Sequence, residues 1–269
     1  MIEFNWLPAL WFFTIALEIG LYLMLDGADL GIGILSLFQK KEESRGLMLS
    51  VIGPIWDANE TWLVIAAGTL FGAFPLAYGI ILSALYIPVM ILIFGLILRA
   101  VSFELYEYAH RKRLWGRLFG FGSLVAAIGQ GLLAGGLVSG IVVTGNVFAG
   151  HMFDWLTGTS LLLTLGILLT YLCTGYAFLL RKRGPVGSPK QFLYPVTLGL
   201  LATAFGTVTV ILLPNMVPPS ITIYQAAASH KTLMFMLYGI GPLIPIIFAY
   251  NLYLYRVFRD EREGERYAA

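Results

Sequence analysis

Long apolar stretches dominate the chain, and short polar connections separate them. Seven stretches reach or exceed the roughly 20 residues that a helix needs to cross a bilayer. We place them at residues 8–38, 47–74, 78–105, 115–143, 155–180, 192–213 and 231–257. The pattern predicts an all-α, polytopic transmembrane helix bundle that forms a single integral membrane domain over residues 1–269.

The composition agrees with this pattern. The chain is 58% hydrophobic and only 12% charged, whereas about a quarter of the residues of a soluble domain are charged. No basic cluster with interleaved aromatic residues suggests a nucleic-acid partner. The first residues lack the basic segment of a cleaved signal peptide, so we expect the first stretch to remain as a spanning helix.

The positions of lysine and arginine predict how the helices are oriented. Fifteen of the 17 basic residues follow predicted helices 1, 3, 5 and 7. Of the other two, Arg99 lies within predicted helix 3 and Lys231 lies alone on the opposite side. Because basic residues concentrate in cytoplasmic loops, we expect the N-terminus outside and the C-terminus in the cytoplasm.

Charged residues inside the first three stretches are the main candidates for function. A charge in hydrocarbon costs a few kcal/mol or more, so it usually faces a protein interior and marks an ion, proton or ligand path. The candidates are Glu18, Asp26 and Asp29 in helix 1, Asp57 and Glu60 in helix 2, and Arg99 in helix 3.

The spacing of these acids predicts a carboxylate-lined proton route that rises from the cytoplasm. Glu18 and Asp29 are eleven residues apart, so they share one stripe of helix 1 that is about 16 Å long. Asp57 and Glu60 are one turn apart near the predicted middle of helix 2. Pro54, just before them, is expected to kink that helix.

A purely structural interpretation stays open for part of this set. Asp26 and Asp29 could bond to backbone amides, or pair with Arg99 and lock helices 1 and 3 together. Arg99 could instead extend its charge to the membrane surface. For Asp57 and Glu60, which we place deep in the membrane, a functional role is favoured. Glu18 has only apolar neighbours in sequence and stays open.

The chain offers no pattern of metal or haem ligands. His110 lies in a basic cytoplasmic loop, and His151 and His230 lie in predicted outer loops. None faces another ligand at a suitable spacing within a helix, so we expect no metal site and no haem ligated by this chain. The single Cys173 cannot form an internal disulfide.

Four segments together resemble subunit II of cytochrome bd-type quinol oxidases. They occur in the family's order and extend over nearly the whole chain. They are Leu25–Gly33 (LDGADLGIG), Ile52–Leu63 (IGPIWDANETWL), Leu98–Glu104 (LRAVSFE) and Pro218–Ala227 (PPSITIYQAA).

The chain also departs from the family's pattern. Ala28, Ala58 and Gln225 replace the common Phe, Gly and Asp, so a charged role at Gln225 is not expected. The usual member has nine helices, and this chain lacks a pair between Arg183 and Gln191. Losing two helices preserves the predicted orientation of both termini.

The resemblance implies a multi-pass subunit of a terminal respiratory oxidase in a bacterial or archaeal plasma membrane. Its partner, subunit I, would carry the haems, oxidise quinol and reduce O₂ to water. Asp29, Asp57 and Arg99 match family positions associated with the proton route and with polar contacts near the subunit interface. The resemblance also allows small single-helix subunits and a structurally bound quinone.

Two other functions remain open from the sequence. Intramembrane carboxylates and broken helices would also suit a proton- or cation-coupled membrane transporter, although no inverted repeat is visible. A third alternative is a scaffold for a redox partner. For the oxidase we expect helices 1 to 4 to pack against the partner through small residues, namely Gly20, Gly27, Gly31, Gly33, Gly129, Gly131, Gly135, Gly136 and Gly140.

Overall fold

A computed structural model describes residues 6–183 and 189–258 of the chain. The described part is mainly helical, and its α-helices are α1 Leu7–Ser36, α2 Glu42–Ile52, α3 Trp56–Ala73, α4 Pro75–Ala84, α5 Tyr86–Tyr108, α6 Lys112–Ser139, α7 Gly158–Arg183, α8 Leu193–Leu212, α9 Ile223–Ala226, α10 His230–Gly239 and α11 Leu243–Val257. A 3₁₀ turn, Pro189–Phe192, precedes α8.

The number of spans agrees with the sequence-based prediction. Six segments of the described chain are long and apolar enough to cross a membrane, and a seventh is obtained if α3 and α4 together form one bent span. Three of the basic residues that we assign to the cytoplasmic side lie outside the described residues, namely Arg259, Arg262 and Arg266. Most of the segment where we expect the missing helix pair also lies outside them.

Three predicted helices are wrong in their continuity, because prolines divide them. The stretch at 47–74 is not one helix: α2 ends at Ile52, and α3 begins at Trp56. Pro54 lies in the turn between them, where its missing N–H and its ring prevent a continuous helix. The sequence predicted a kink at this position, whereas the structure has a complete break.

The stretch at 78–105 is also divided. It begins within α4, which is bent by 119° from α3, and α5 starts only at Tyr86. The ring of Pro88 would meet the carbonyl of Ala84, four residues earlier, and α4 ends at that residue. The last predicted helix, at 231–257, is interrupted in the same way before Pro242.

Two short antiparallel hairpins connect helices, and the sequence did not predict them. In the first, β1 (Val143–Thr144) pairs with β2 (Val147–Phe148). In the second, β3 (Asn215–Val217) pairs with β4 (Ile221–Thr222). The first hairpin follows Gly140, whose φ of 93° ends α6 earlier than the predicted residue 143.

The glycines that we expected at a subunit interface instead bring helices of this chain together. At Gly31 in α1, a Cβ atom would collide with the backbone carbonyl of Tyr171 in α7. At Gly129 and Gly135 in α6, it would collide with the backbones of α5 and α7. Removing the side chain lets helix axes approach closely. The prediction that these residues face a partner is therefore wrong.

Helix α1 is the centre of the bundle, because it packs against α3, α6, α7 and α8. Trp11 and Leu30 of α1 are both buried. Helices α8, α10 and α11 are much more exposed than α1, and many of their large apolar side chains face away from the rest of the chain. Polar groups on α1 are therefore enclosed by neighbouring helices.

Candidate functional site

Arg99 joins three helices through one buried and one partly buried ion pair. Its Nη2 donates to Oδ1 of Asp26 at 2.7 Å and also to Oε1 of Glu60. Arg99 comes from α5, Asp26 from α1 and Glu60 from α3, and we call these three residues the triad. The side chains of Arg99 and Asp26 are almost fully buried, whereas that of Glu60 is 20% exposed.

The triad places two carboxylates against one guanidinium group. If both acids are ionised, the group carries a net negative charge, and one added proton makes it neutral. A guanidinium group stays protonated in proteins, so a proton that enters or leaves the triad must do so on an acid. Glu60 is the more accessible of the two. The ring of Trp56 lies 5.9 Å from the guanidinium carbon and covers part of the Arg99 side chain.

Asp29 bonds to an amide rather than to a cation. Nδ2 of Asn59 in α3 donates to Oδ2 of Asp29 at 2.7 Å, and both residues are buried. The hydroxyl of Tyr255 in α11 donates to Oδ1 of Asn59 at 3.3 Å. Asn59 therefore connects α1 to the last helix, and Asp29 lies next to the triad without joining it.

A chain of neutral hydrogen bonds lies beside Asp26. The hydroxyl of Tyr171 in α7 donates to Oε1 of Gln130 in α6 at 2.5 Å. Nε2 of Gln130 in turn donates to the hydroxyl oxygen of Tyr22 in α1 at 2.5 Å. Tyr22 precedes Asp26 by one helical turn, on the same face of α1.

Glu18 lies one turn on the other side of Tyr22 and is fully buried. Its Oε1 accepts a hydrogen bond of 3.1 Å from the hydroxyl of Thr69 in α3. Its Oε2 has no hydrogen-bond donor within the described residues. None of the ion pairs in the described part of the chain involves Glu18. We call Glu18 and Thr69 the Glu18 site.

Asp57 does not point into the bundle, although the sequence suggested an interior position. It lies in the first turn of α3, and its side chain is exposed on the surface of this chain. Its backbone carbonyl accepts a 3.1 Å hydrogen bond from the hydroxyl of Thr61, whereas its carboxylate forms no ion pair with the described residues. The helix turns Asn59 inward and Asp57 outward.

Sequence reasoning missed five polar residues of this region: Tyr22, Asn59, Thr69, Gln130 and Tyr171. Two of them had a usable signal. Asn59 stands between the two acids of α3, and Gln130 is an amide within the apolar, glycine-rich α6. Such residues seldom occur in a span unless they bond across helices. Thr69 and the two tyrosines have no such signal, because both residue types are common in membrane helices.

The three histidines lie apart from the buried polar groups of this region. The structure places His110, His151 and His230 at exposed positions outside the interior of the spans. Within residues 6–183 and 189–258, no group of three or more His, Cys, Asp and Glu side chains could hold a metal ion.

Gln225, where the resembling family commonly has Asp, has a structural role in α9. Its side-chain Oε1 accepts a 2.9 Å hydrogen bond from the backbone N–H of Thr222. The hydroxyl of Thr222 accepts one from the backbone N–H of Gln225. This reciprocal arrangement is a capping box, which needs hydrogen-bonding groups but no charge.

Comparison with known proteins gives a consistent family. The family described as cytochrome bd terminal oxidase subunit II matches residues 7–188 and 187–258. Cytochrome bd ubiquinol oxidase subunit 2 of Bacillus subtilis is 38% identical over 128 residues, which is 46% of this chain and 38% of that protein. Cytochrome bd-I ubiquinol oxidase subunit 2 of Escherichia coli is 28% identical over 136 residues, 50% of this chain and 36% of that protein. The matched region thus spans well under half of either relative.

The fold is also that of a solved relative. A chain in the structure of bd oxidase from Geobacillus thermodenitrificans superimposes with a TM-score of 0.75, covering 95% of this chain and 99% of the other at 15% sequence identity. Since the family match extends over almost all of the described residues, the chain belongs to the cytochrome bd terminal oxidase subunit II family and is a multi-pass protein of the bacterial plasma membrane.

Proposed function

We propose that this chain is the non-haem subunit of a bd-type quinol:O₂ oxidoreductase and supplies a proton path to its partner. Subunit I of that complex would hold the haems, oxidise quinol and reduce O₂ to water. The observation that carries the proton path is the triad, in which two acids share one cation inside the bundle. Family membership supports the oxidase as the setting.

The proposed path begins at Asp57 and reaches the triad through Glu60. The two side chains are three residues apart on α3, so they are neighbours on the helix surface. Asp57 is exposed on the surface of the chain, and Glu60 is partly exposed. A proton taken up at Asp57 can therefore pass to Glu60, where it neutralises the excess charge of the triad. Asp26 and Arg99 hold Glu60 in place.

Asp29 and Glu18 would extend the path along α1. Asp29 lies below Asp26, one turn nearer the end of α1 that we orient to the cytoplasm. Glu18 lies two turns above Asp26, which is about 12 Å along the helix axis. Tyr22 stands between Asp26 and Glu18 and carries a hydroxyl group that can transfer a proton. In this proposal Glu18 is the inner end of the path.

The exposed face of α3 is the proposed contact with subunit I. Asp57, Thr61, Val64, Gly68 and Phe71 follow one another at intervals of three or four residues and so share one face. Val64 and Phe71 are 71% and 61% exposed, and a Cβ atom on Gly68 would meet nothing within 4 Å. A carboxylate on such a face would contact hydrocarbon if lipid covered it. A partner helix with polar groups near Asp57 avoids that contact, and in this proposal those polar groups keep Asp57 open to protons from the cytoplasm.

The test uses the assembled complex with Asp57→Asn or Glu60→Gln. Both changes keep the shape of the side chain and remove its ability to carry a proton. We expect normal assembly and haem content, and at least about tenfold slower quinol-driven O₂ consumption, as for loss of a proton-transfer group. Glu107→Gln, an exposed acid near the end of α5, is the matched control and should leave turnover unchanged. Normal turnover in both assembled variants would contradict the proton path.

A proton- or cation-coupled transporter is the second candidate. The break between α2 and α3, directly before Asp57, favours it, because broken helices at intramembrane carboxylates are typical of transporters. The two candidates are distinguished by purifying the complex through a tag on this chain. A visible haem spectrum in the purified material supports the oxidase. Haem-free material that moves protons or cations across liposomes supports the transporter.

A further inference from the structure

The turn between α5 and α6 forms a basic cleft that the proposed proton path does not use. The cleft has a volume of about 600 Å³. We call it the α5–α6 cleft, and it is lined by Glu42, His110, Arg111, Lys112, Arg113, Leu114 and Arg117. Four positively charged side chains thus line the α5–α6 cleft.

The single carboxylate in the cleft is already engaged. Glu42 forms an ion pair with Arg45, whose side chain is 1% exposed, and also accepts a 3.1 Å hydrogen bond from the hydroxyl of Tyr106. Within residues 6–183 and 189–258, the ion pairs involve only Arg45 and Arg99 among the basic residues. The four cations of the cleft therefore have no carboxylate partner there.

The start of α6 adds a further unfavourable interaction for two of these cations. Lys112 and Arg113 occupy the first turn of α6, which contains no acidic residue. The N-terminus of a helix carries a partial positive charge, so basic residues there are unfavourable and an anion is favourable. The preference for basic residues in cytoplasmic loops explains their number, but it does not require them to line one cleft.

The location of the cleft favours a lipid as the source of the anion. It lies between the end of span α5 and the start of span α6, and the ends of spanning helices lie near the headgroups of a bilayer. Leu114, which also lines the cleft, is 48% exposed and offers an apolar contact beside the cations. Arginine binds phosphate oxygens with paired, charge-assisted hydrogen bonds.

We propose that the α5–α6 cleft binds the phosphate-bearing headgroup of an anionic phospholipid. The bound headgroup offsets part of the positive charge of Arg111, Lys112, Arg113 and Arg117 at the start of α6. This site is independent of the proton path and of the oxidase reaction.

The test compares two charge-matched double variants in the purified complex. Arg113→Gln/Arg117→Gln removes two charges from the cleft, whereas Lys40→Gln/Lys41→Gln removes two from the connection between α1 and α2. Both sets lie at the same end of the molecule, because Arg45 of α2 contacts Gly116 of α6. Each complex is placed in phosphatidylcholine nanodiscs that contain a titrated fraction of phosphatidylglycerol. The retained phosphatidylglycerol is counted by native mass spectrometry.

We expect the cleft variant to bind phosphatidylglycerol at least about tenfold more weakly, since it loses charge-assisted hydrogen bonds to the phosphate that the control variant keeps. The control variant should lose much less. Equal losses in both variants would mean diffuse surface attraction, and no loss in the cleft variant would mean no site; either result overturns the proposal. Displacement of the lipid by excess inorganic phosphate would show that the cleft takes a soluble anion instead, and would also overturn it.

Discussion

The triad and the Glu18 site both place fully buried carboxylates on α1, but only the triad contains a cation. Asp26 has Arg99 at 2.7 Å, whereas Glu18 has only the hydroxyl of Thr69 at 3.1 Å. An ionised carboxylate buried without a counter-charge is very costly. We therefore infer that Glu18 is a neutral carboxylic acid, while the triad retains charge. The same helix can thus hold one charged and one neutral acid two turns apart.

This comparison separates two ways of keeping an acid inside a membrane. At the triad, the charges hold α1, α3 and α5 in one arrangement, so the loss of the cation leaves two acids without a counter-charge. At the Glu18 site, a neutral group needs only hydrogen-bond partners, so a neutral amide of the same shape should replace it. The following predictions test this difference, beginning with the largest expected effect.

Arg99→Met should have the largest effect. It leaves Asp26 and Glu60 buried together without a cation, and removing one partner of a buried ion pair typically costs about 3–5 kcal/mol. We expect the free energy of unfolding in detergent, measured by denaturant titration, to fall by that amount. Arg256→Met removes an exposed arginine near the end of α11 and is the control. The triple variant Arg99→Met/Asp26→Asn/Glu60→Gln should recover most of the loss, because it removes all three charges together.

A smaller effect is expected at the hydrogen-bond chain between the two sites. Gln130→Leu leaves the buried hydroxyls of Tyr22 and Tyr171 without their amide partner, and an unsatisfied buried polar group costs about 1–3 kcal/mol. The variant Tyr22→Phe/Gln130→Leu/Tyr171→Phe removes the polar groups together and should be more stable than Gln130→Leu alone. If the triple variant is less stable than Gln130→Leu, the three side chains do not act together as one hydrogen-bonded group.

The sequence predicts the spans and the shared face of the acids better than it predicts where the helices break. The spans were predictable because apolar length alone defines them, and the acids of α1 could be placed on one face because helical spacing is fixed. The breaks at Pro54 and Pro88 follow from the missing N–H, although the sequence suggested a kink at the first and nothing at the second. The resemblance named the correct family from four short segments.

The direction in which α3 faces could not be predicted. In a soluble protein the polar face of a helix points to water, but both faces of a membrane helix are apolar, so periodicity does not show which one is inside. Asp57 and Asn59 are two residues apart and therefore point in different directions, and only the packed structure shows that Asn59 faces Asp29. The glycines raise the same difficulty, since close packing within the chain and between chains uses the same residues.

Glu18→Gln tests the inferred neutral state directly. If the carboxyl group is protonated, the amide retains its shape and its bond to Thr69, so the free energy of unfolding should change by less than about 1 kcal/mol. The infrared band of a protonated carboxyl group, sensitive to deuterium exchange, should disappear in the variant. Asp26→Asn, which removes a charge from the triad, should leave that band in place. Loss of the band in Asp26→Asn but not in Glu18→Gln would reverse the assignment of the two sites.

Asp57→Asn should have the smallest effect on the stability of this chain, even though it is expected to slow turnover of the complex. Its side chain is exposed and forms no ion pair with the described residues. Substitutions at such positions usually change the free energy of unfolding by less than about 0.5 kcal/mol. Denaturant titration of the isolated chain should therefore not distinguish the variant from the wild type. A role for Asp57 that depends only on holding helices together would appear as a loss of stability or assembly, whereas proton transfer would appear only as slower O₂ consumption. If the Asp57→Asn chain is unstable but the complex keeps its normal specific turnover, Asp57 has a structural role. Glu60 would then be the first residue of the proton path.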